Sequence, residues 1–317
     1  MIPVSPTSRM TPAVRLRRIL GSGVIAWVLL LGLVIGWGGS RRGVEGGGVY
    51  ELSELPPIGD DSKSSEADLL GKLMLASQSR NLSNSSIRIG TFNIHSGKGR
   101  DEVFDLKRTA NTIPRHLDIV FLQEVRSGLW GFSPDQAASL AQQLYMRNVF
   151  LPVEAQWFQP HFGNALLSRR NHDVIASLPL PCTQGKKYRG AMLTRFVVDN
   201  SSINLMGAHI DLRVDHDRQL EMVLSVFESL ASPKVLIGDL NTTPDQTAMI
   251  SFLAKTGCRN VFASEGHGRD WMIIDGLRVR ESGIIDHGGS DHGLLWAELA
   301  VVNVPNKVAS EEPSVLK

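Results

Sequence analysis

Residues 235–241 of the 317-residue chain read Val235-Leu236-Ile237-Gly238-Asp239-Leu240-Asn241, an apolar run that ends in an acid and an amide. Apolar side chains at consecutive positions, rather than at alternate ones, are typical of a central strand buried on both faces. Rigid scaffolds often present catalytic groups at the ends of such strands. An Asp or Asn after a strand is also a common turn former, so this stretch alone leaves both interpretations open.

The same arrangement, a polar residue at the end of an apolar strand, recurs along the chain. Residues 87–92 alternate at period two, as in a half-buried strand, and residues 119–122 form a second continuous apolar run. Several such strand ends gathered in one place would form a site, whereas independent turns would not. The polar residues concerned are Asn93, Glu124, His209, Asp239, Asn241, Asp291 and His292, the last two standing directly before a strand predicted at 294–301.

Strand patterns dominate both halves of the region after residue 86. A polar turn at 199–202 predicts a hairpin between strands at 192–198 and 203–208. Helical patterns occur at 103–116, 137–146, 216–230 and 244–255. We therefore expect two packed sheets with helices outside them, rather than one doubly wound sheet, in a single large domain.

Three acids of this set, Glu124, Asp239 and Asp291, would repel each other if folding gathered them. At about 4 Å and an effective dielectric constant of roughly 20, each pair costs about 4 kcal/mol, so the cluster requires raised pKa values or a bound cation. Ligands that are all oxygen select a hard ion, which makes Mg²⁺ the first choice and Mn²⁺ the second. The chain has two cysteines and no His-Glu-x-x-His motif, which argues against zinc.

Composition and charge exclude several classes of protein. Apolar residues make up 42% of the chain and charged residues 21%, which excludes a fully disordered chain and a polytopic membrane protein. Lys and Arg total 33 against 32 Asp and Glu, so no global basic field indicates nucleic-acid binding, although a local basic groove is not excluded. The two cysteines, Cys182 and Cys258, exclude a disulfide scaffold and leave open whether they pair with each other.

The N-terminal region predicts export. Residues 19–40 contain no charged side chain and are long enough to span the hydrocarbon core of a bilayer. Four arginines precede this segment and two follow it closely, so the positive-inside rule places the N-terminus in the cytoplasm and the rest of the chain in the periplasm or outside the cell. A cleaved signal peptide, which would release a secreted protein, and a buried core helix are the alternatives.

These patterns divide the chain into five parts. Residues 1–18 form a basic N-terminal segment, and residues 19–40 form the transmembrane anchor or signal segment. Residues 41–85 contain Gly-, Pro- and Ser-rich stretches and are predicted to be a flexible linker. Residues 86–303 are predicted to form the catalytic domain and residues 304–317 a disordered tail. A retained anchor would therefore tether the domain to the membrane.

Six motifs occur along residues 86–303 in this order: Thr91-Phe92-Asn93-Ile94, Leu122-Gln123-Glu124-Val125, Gly163-Asn164-Ala165-Leu166-Leu167-Ser168, Ala208-His209-Ile210-Asp211, Gly238-Asp239-Leu240-Asn241 and Gly289-Ser290-Asp291-His292. The set resembles the endonuclease/exonuclease/phosphatase superfamily, the deoxyribonuclease-I-like metal-dependent phosphoesterases. The resemblance implies an α+β fold, a four-layer α/β/β/α sandwich with its site at one edge of the paired sheets. It also implies an enzyme, a Mg²⁺-dependent phosphoric ester hydrolase.

The resemblance assigns metal and water binding to five of the residues. Glu124 resembles the principal metal ligand, with Asn93 and Asp291 beside it. Asp239 and Asn241 resemble the pair that orients the attacking water and the phosphate. The chemistry needs these residue types because an anionic phosphodiester requires a cation on its oxygens, and because water requires a positioned carboxylate to accept its proton.

The resemblance also places two histidines, His209 and His292, on either side of the scissile phosphate. An acid is expected to pair with His292, hold its ring and raise its pKa. Asp270 matches the position of that acid, and Asp275 is the rival candidate. Weaker candidates for contacts with the substrate are His95, Asn164 and Arg189.

The function expected from these observations is an exported, membrane-tethered, metal-dependent phosphoester hydrolase, with a nuclease-like phosphodiesterase as the leading form. A lipid-head-group phosphodiesterase or phosphatase of the same superfamily is the first alternative, because an anchor would hold the site near a bilayer surface. A non-catalytic binding module is the second. The expected partners are a nucleic-acid or lipid-head-group phosphoester and the membrane, and no protein partner is inferred.

Overall fold

Two β-sheets pack face to face, and α-helices cover the outer face of each. The computed structural model describes residues 42–43, 86–127, 135–155, 160–183, 187–198, 201–263, 268–286 and 288–302. Its strands are β1 (Arg42–Gly43), β2 (Ile87–Asn93), β3 (Ile119–Ser127), β4 (Arg147–Ala155), β5 (His161–Ser168), β6 (His172–Pro179), β7 (Gly190–Val198), β8 (Ser201–His209), β9 (Lys234–Asp239), β10 (Arg259–Asn260), β11 (Asp270–Asp275), β12 (Leu277–Ile285) and β13 (Leu294–Val301). Its α-helices are α1 (Leu106–Thr112), α2 (Gln136–Leu144), α3 (His216–Ser229) and α4 (Thr247–Thr256), and a 3₁₀ turn spans His95–Gly97.

The strand order places the ends of two parallel pairs at the same edge of the sandwich. The first sheet has the order β1-β4-β5-β3-β2-β13-β12, and the second has the order β10-β11-β9-β8-β7-β6. Among the described strands, β2 runs parallel to β3 and β8 runs parallel to β9, while the other pairs are antiparallel. The predicted hairpin is confirmed as β7 and β8.

Three apolar clusters hold the four layers together. Between the sheets, Ile89 and Phe121 of the first sheet pack with Ile237 of the second. Leu140 of α2 packs on the outer face of the first sheet, and Phe227 of α3 packs on the outer face of the second. The four-layer α/β/β/α sandwich is therefore confirmed, and burial of this apolar surface is its main source of stability.

The first helix is shorter at both ends than the predicted span of residues 103–116. Asp105 caps α1 at its N-terminus, because its carboxylate accepts hydrogen bonds from the backbone N–H groups of Lys107 and Arg108. At the other end, Ile113 adopts an extended conformation. The residue before a proline is disfavoured in the helical region, and Pro114 follows directly.

Several sequence predictions fall outside the described residues. The segment at 19–40 and the tail at 304–317 are not among them, and neither is most of the linker at 41–85. Within the part of the chain that is described, no helix is both long enough and apolar enough to cross a membrane. Residues 42–43 of the predicted linker form the short strand β1, which pairs with β4. Cys182 and Cys258 are both free thiols.

The close contact between the two sheets predicts a large penalty for one small substitution. A Cβ added at Gly207 of β8 would overlap the ring of Phe121 on β3. We expect Gly207→Ala to lower the free energy of unfolding by about 1–3 kcal/mol, because the ring must move within a packed core. Urea denaturation measures this change, and Gly268→Ala is the control because, apart from its chain neighbours, no atom of a described residue lies within 4 Å of its added Cβ. Equal stability of the two variants would contradict the close packing.

Candidate active site

The second sheet aligns three polar side chains by strand register alone. His209 at the end of β8 lies directly opposite Asp239 at the end of β9. Asp270 at the start of β11 lies opposite Asp239 on the other side. Residues that face each other across neighbouring strands point to the same side of a sheet, so the three side chains form a row at one sheet edge.

The first sheet contributes Asn93 from the end of β2. Because side chains alternate along a strand, Asn93 points the same way as Ile89, towards the second sheet. Its Nδ2 donates a hydrogen bond of 3.0 Å to Oδ2 of Asp239, and its Oδ1 accepts one from the backbone N–H of His95. This buried contact joins the edges of the two sheets.

A β-bulge turns Glu124 into the same space. The pairing of β3 with β5 is irregular between Leu122 and Val125, and Glu124 has a φ of 58°. In a regular strand Glu124 would point with Leu122 towards the helices, but an extra residue in a bulge redirects the following side chain. Oε1 of Glu124 instead lies 4.0 Å from Nε2 of His209. Left-handed backbone at a non-glycine residue is strained, and such strain is often found at functional sites.

Asp239 stands at the centre of this group. Its Oδ2 lies 3.7 Å from Nε2 of His209 and 3.8 Å from Nε2 of His292, while its Oδ1 accepts a hydrogen bond of 3.0 Å from the backbone N–H of Asn241. The side chain is only 3% exposed. Burial, together with the negative charge of Asp270, raises the pKa of Asp239 to about 6. Its carboxylate is therefore poised to accept a proton near neutral pH.

His292 is held by a carboxylate on its far side. Its Nδ1 donates a hydrogen bond of 2.7 Å to Oδ2 of Asp270. Burial of the ring opposes its charge, but this hydrogen bond and the charges of Asp270, Asp239 and Asp291 outweigh burial and raise the pKa of His292 to about 9. His292 is therefore an imidazolium at neutral pH. The rival acid Asp275 lies at the other end of β11, 3.9 Å from Nζ of Lys234.

Removal of the Asp270 carboxylate should reverse the rise in the pKa of His292. We expect Asp270→Asn to lower the pKa of His292 by about 1–3, because an adjacent opposite charge accounts for a shift of that size. NMR titration of the His292 ring protons in chelator measures the change. Asp275→Asn is the matched control and should leave the pKa of His292 unchanged. A pKa that stays near 9 in Asp270→Asn would show that other groups hold the proton.

His209 differs from His292 in its charge. Its side chain is only 2% exposed, and burial, together with the positive charges of Arg189, His292 and Lys187, lowers its pKa well below the ordinary value. The ring is therefore neutral at neutral pH. Its Nδ1 is buried without a hydrogen-bond partner among the described residues.

Asp291 lies at the rim of the site, beside His95. Oδ1 of Asp291 accepts a hydrogen bond of 3.0 Å from the Ser290 hydroxyl and lies 3.7 Å from Nδ1 of His95. Its side chain is about half exposed, in contrast to the buried carboxylate of Asp239. His95 is thus close to the predicted site, and that it contacts the substrate stays a prediction.

Within the part of the chain that the structure describes, one group of acids and histidines is compact enough to hold a metal ion. The ligand atoms of Asp239, Asp270 and His292 lie within 4.8 Å of one another. The predicted ligands Glu124 and Asp291 belong to no such group of three within the described ranges. Glu124 makes no hydrogen bond to a described residue, so its carboxylate oxygens are available, and an oxygen donor set fits Mg²⁺ or Mn²⁺.

The other two predicted substrate contacts lie deeper in the fold. Asn164 is buried, and its Nδ2 donates a hydrogen bond of 2.9 Å to the carbonyl of Gly190, which links β5 to β7. Arg189 is 6% exposed and directly precedes Gly190, the register partner of His209. That either residue contacts the substrate stays a prediction.

Sequence reasoning missed two neighbours of Arg189, namely Arg126 and Phe162. The Cζ atoms of Arg126 and Arg189 lie 5.3 Å and 5.6 Å from the centroid of the Phe162 ring. The sequence did contain one signal for Arg126, because it lies two residues after Glu124 on the same strand and side chains two apart point to the same face. The bulge at Glu124 makes this spacing alone an unreliable guide to its direction.

Three comparisons place these features among known proteins. The model of the Endonuclease/Exonuclease/phosphatase family matches residues 90–292. Sequence comparison with curated proteins gives no significant match. The endonuclease/exonuclease/phosphatase from Beutenbergia cavernae DSM 12333 is similar in structure, with a TM-score of 0.57 and 21% identity over 68% of this chain and 72% of that one.

Two further solved structures share the fold at low identity. The catalytic domain of human nocturnin with bound sulfate has a TM-score of 0.51 and 18% identity, over 70% of this chain and 95% of its own. D. rerio TDP2 complexed with a single-strand DNA product has a TM-score of 0.50 and 16% identity, over 68% of this chain and 100% of its own. The family match covers most of the described sandwich, and the chain therefore belongs to the Endonuclease/Exonuclease/phosphatase family, within a superfamily of metal-dependent phosphoesterases.

Proposed function

We propose that the chain hydrolyses phosphodiesters in a nuclease-like reaction. The observation that carries the proposal is the alignment of Asp270, His292 and Asp239, in which a protonated imidazole fixed at 2.7 Å by one acid faces a second, buried acid at 3.8 Å. Both pKa values are raised by their surroundings, that of Asp239 to about 6 and that of His292 to about 9, and groups perturbed by burial and by a specific charged partner are typical of acid–base sites. A purely structural ion pair would not need the second acid.

Each side chain then has a defined role. Asp239 accepts the proton of the attacking water and fixes its direction, and its pKa of about 6 suits it to that task near pH 7. His292 donates a hydrogen bond from Nε2 to a phosphate oxygen and stabilises the charge that develops during attack. His209, which is neutral, lies near the same oxygen of Asp239 as His292 does. The backbone N–H of Asn241 donates a hydrogen bond to the other carboxylate oxygen of Asp239.

A divalent ion, Mg²⁺ or Mn²⁺, would neutralise the phosphate oxygens when bound. We assign its ligands to Glu124, Asn93 and Asp291, in keeping with the motif positions. The compact group of Asp239, Asp270 and His292 is less suited to this role, because a histidine with a pKa of about 9 is protonated at neutral pH. A metal ligand must present a lone pair, so His292 would have to lose its proton first.

Nucleic acid is the first substrate class to test. D. rerio TDP2, which shares this fold, has been crystallised with a single-strand DNA product, and this precedent supports the choice. The chain has no net basic field, so any nucleic-acid binding depends on local groups near the site rather than on total charge.

A lipid head group is the second candidate, and exposed apolar side chains at the rim favour it. Val103 and Phe104 follow β2, and Leu212 and Val214 follow β8, the strands that carry Asn93 and His209. The four side chains are 40–55% exposed. Apolar side chains on rim loops can enter the boundary between lipid head groups and acyl chains, which would bring a bilayer to this edge.

Hydrolysis of bis(p-nitrophenyl) phosphate by the full-length chain in detergent tests the proposed function. We expect turnover with Mg²⁺ or Mn²⁺ and its loss with chelator. Oligonucleotide and phosphatidylcholine substrates then separate the nuclease from the lipid hydrolase. No turnover of any phosphoester with either ion would leave the non-catalytic binding module as the function of the fold.

We also propose that residues 19–40 anchor the protein in a membrane with the catalytic domain outside the cytoplasm. The proposal is supported by the uncharged length of this segment and by the arginines that precede it. Fractionation of cells that make the chain should place it with the membranes, and protease added outside the inner membrane should digest the domain. A mature N-terminus near residue 40 would instead identify a cleaved signal peptide.

A further inference from the structure

Two arginines share one aromatic ring at the active-site edge, and we call Arg126, Phe162 and Arg189 the stacked cluster. Arg126 and Phe162 are register partners on β3 and β5. Arg189 comes from the second sheet and directly precedes β7. The cluster therefore spans both sheets, as the pair Asn93 and Asp239 does. Each guanidinium lies close enough to the ring for a cation–π interaction.

Arg126 is held by a small network that orients its side chain. Its Nε donates a hydrogen bond of 3.1 Å to the Ser96 hydroxyl, and its backbone N–H donates one to Oε1 of Gln136. Nε2 of Gln136 in turn donates a hydrogen bond of 2.7 Å to the carbonyl of Ser96. No other nitrogen of the Arg126 guanidinium has a hydrogen-bond partner within the described ranges, so the planar fork is both fixed and free to bind.

Arg189 is buried and incompletely paired. Its residue surface is 6% exposed, and its Nε has no hydrogen-bond partner among the described residues. The charges of Glu124, Asp211 and Asp239 act on it favourably, but none of them makes a direct ion pair with it within those residues. A buried guanidinium with an unpaired N–H is unfavourable in a protein interior, so this position is suited to an anion that arrives with a ligand.

We propose that the stacked cluster binds a second phosphate next to the scissile one, which makes single-stranded oligonucleotides the substrate class of this site. The inference rests on the proposed phosphodiesterase function. Arginine forks match phosphate oxygens in a bidentate manner, and the Phe162 ring holds the Cζ atoms of both arginines at 5.3 Å and 5.6 Å from its centroid. Phosphatidylcholine carries a single phosphate and would gain nothing from the cluster.

The test compares two substrates in the full-length chain solubilised in detergent. The first is a short single-stranded oligonucleotide, and the second is bis(p-nitrophenyl) phosphate, which has one phosphate. Arg126→Gln should lower the ratio of kcat/KM for the oligonucleotide to that for the small diester by about tenfold, because a charge-assisted hydrogen bond is lost. The dependence of log kcat/KM on log salt concentration should also become shallower by about 0.7 for the oligonucleotide, the value for one lost contact with a single strand.

A matched control exists on the same protein. Arg115 stacks on Tyr145 at 5.9 Å, in the same kind of contact but before the start of β3, away from the site edge. Arg115→Gln should leave both the ratio and the salt dependence unchanged. Phe162→Leu should lower the ratio by less than Arg126→Gln does, because it removes the ring but keeps the charges.

Three results would overturn the proposal. They are an unchanged ratio in Arg126→Gln, an equal fall in Arg115→Gln, and an equal loss of activity on phosphatidylcholine vesicles. Oligonucleotide affinity without divalent ions, measured by fluorescence anisotropy, separates this inference from the proposed function. Affinity that falls in Arg126→Gln supports the cluster even if no diester is hydrolysed, whereas affinity that does not change contradicts it.

Discussion

Replacing Asp239 with asparagine is expected to lower kcat for bis(p-nitrophenyl) phosphate by about 10²–10⁴, the range attributed to a general base. The amide keeps the size of the side chain and can still accept the hydrogen bond from Asn93, but it cannot take a proton from water. Because the chemical step is affected rather than binding, KM should change little. Steady-state kinetics over pH 5–9 in saturating Mg²⁺ measures the effect.

The same variant should be at least as stable as the parent in chelator. Burial and Asp270 raise the pKa of Asp239 from 3.8 to about 6, so the folded protein binds this proton more tightly than the unfolded chain does. The associated stability is fully present below pH 3.8 and is lost as pH rises through about 6. Asp239→Asn should abolish this loss, which amounts to about 3 kcal/mol. An inactive variant that is also less stable at pH 8 would indicate damage to the fold instead.

Replacing Glu124 with glutamine is expected to remove the response to metal. The parent should gain about 2.7 kcal/mol of stability at a Mg²⁺ concentration one hundred times its Kd, seen as a rise in Tm. Without the carboxylate, Glu124→Gln should lose most of that rise, and kcat/KM should fall by about 10²–10³ because phosphate charge is no longer neutralised. Glutamine keeps the length of the side chain and the backbone strain of the bulge, so the comparison isolates the charge.

Glu281→Gln is the matched control for this experiment. Glu281 is exposed on β12. Its replacement by glutamine removes the same charge from the protein as Glu124→Gln does. Its Tm should rise with Mg²⁺ as the parent's does. If Glu124→Gln retains the full response and Asp270→Asn loses it, the ion is bound instead by the compact group of Asp239, Asp270 and His292.

Part of the site was predictable from the sequence, because the period of two along a strand fixes the face towards which each side chain points. Ile89 and Asn93 lie four residues apart on β2 and so point to the same face, which places Asn93 between the sheets once the face of Ile89 is known to be apolar. The same argument does not fix the face of Asp239 on β9, because Val235 and Ile237 are buried on one face of that strand and Leu236 on the other. The acid that contacts His292 was named through the family resemblance. The local pattern disfavoured Asp275, because an Asp that follows an apolar run and precedes Gly276 is typical of a turn.

The bulge at Glu124 and the stacked cluster could not be predicted in the same way. The bulge depends on how β3 pairs with β5, strands that are separated by α2 and β4 in the chain. The stacked cluster joins residues from different sheets, and its geometry follows from how the two layers face each other. Pattern analysis of one segment at a time contains neither kind of information.

The position of β13 has a consequence for a newly made chain. This strand lies between β2 and β12, in the interior of the first sheet, although it is the last strand described. Until the ribosome has completed it, β2 has no neighbour on that side, and Asp291 and His292 have no anchored position. The site proposed above is therefore complete in a nascent polypeptide only after translation has passed Asp291 and His292.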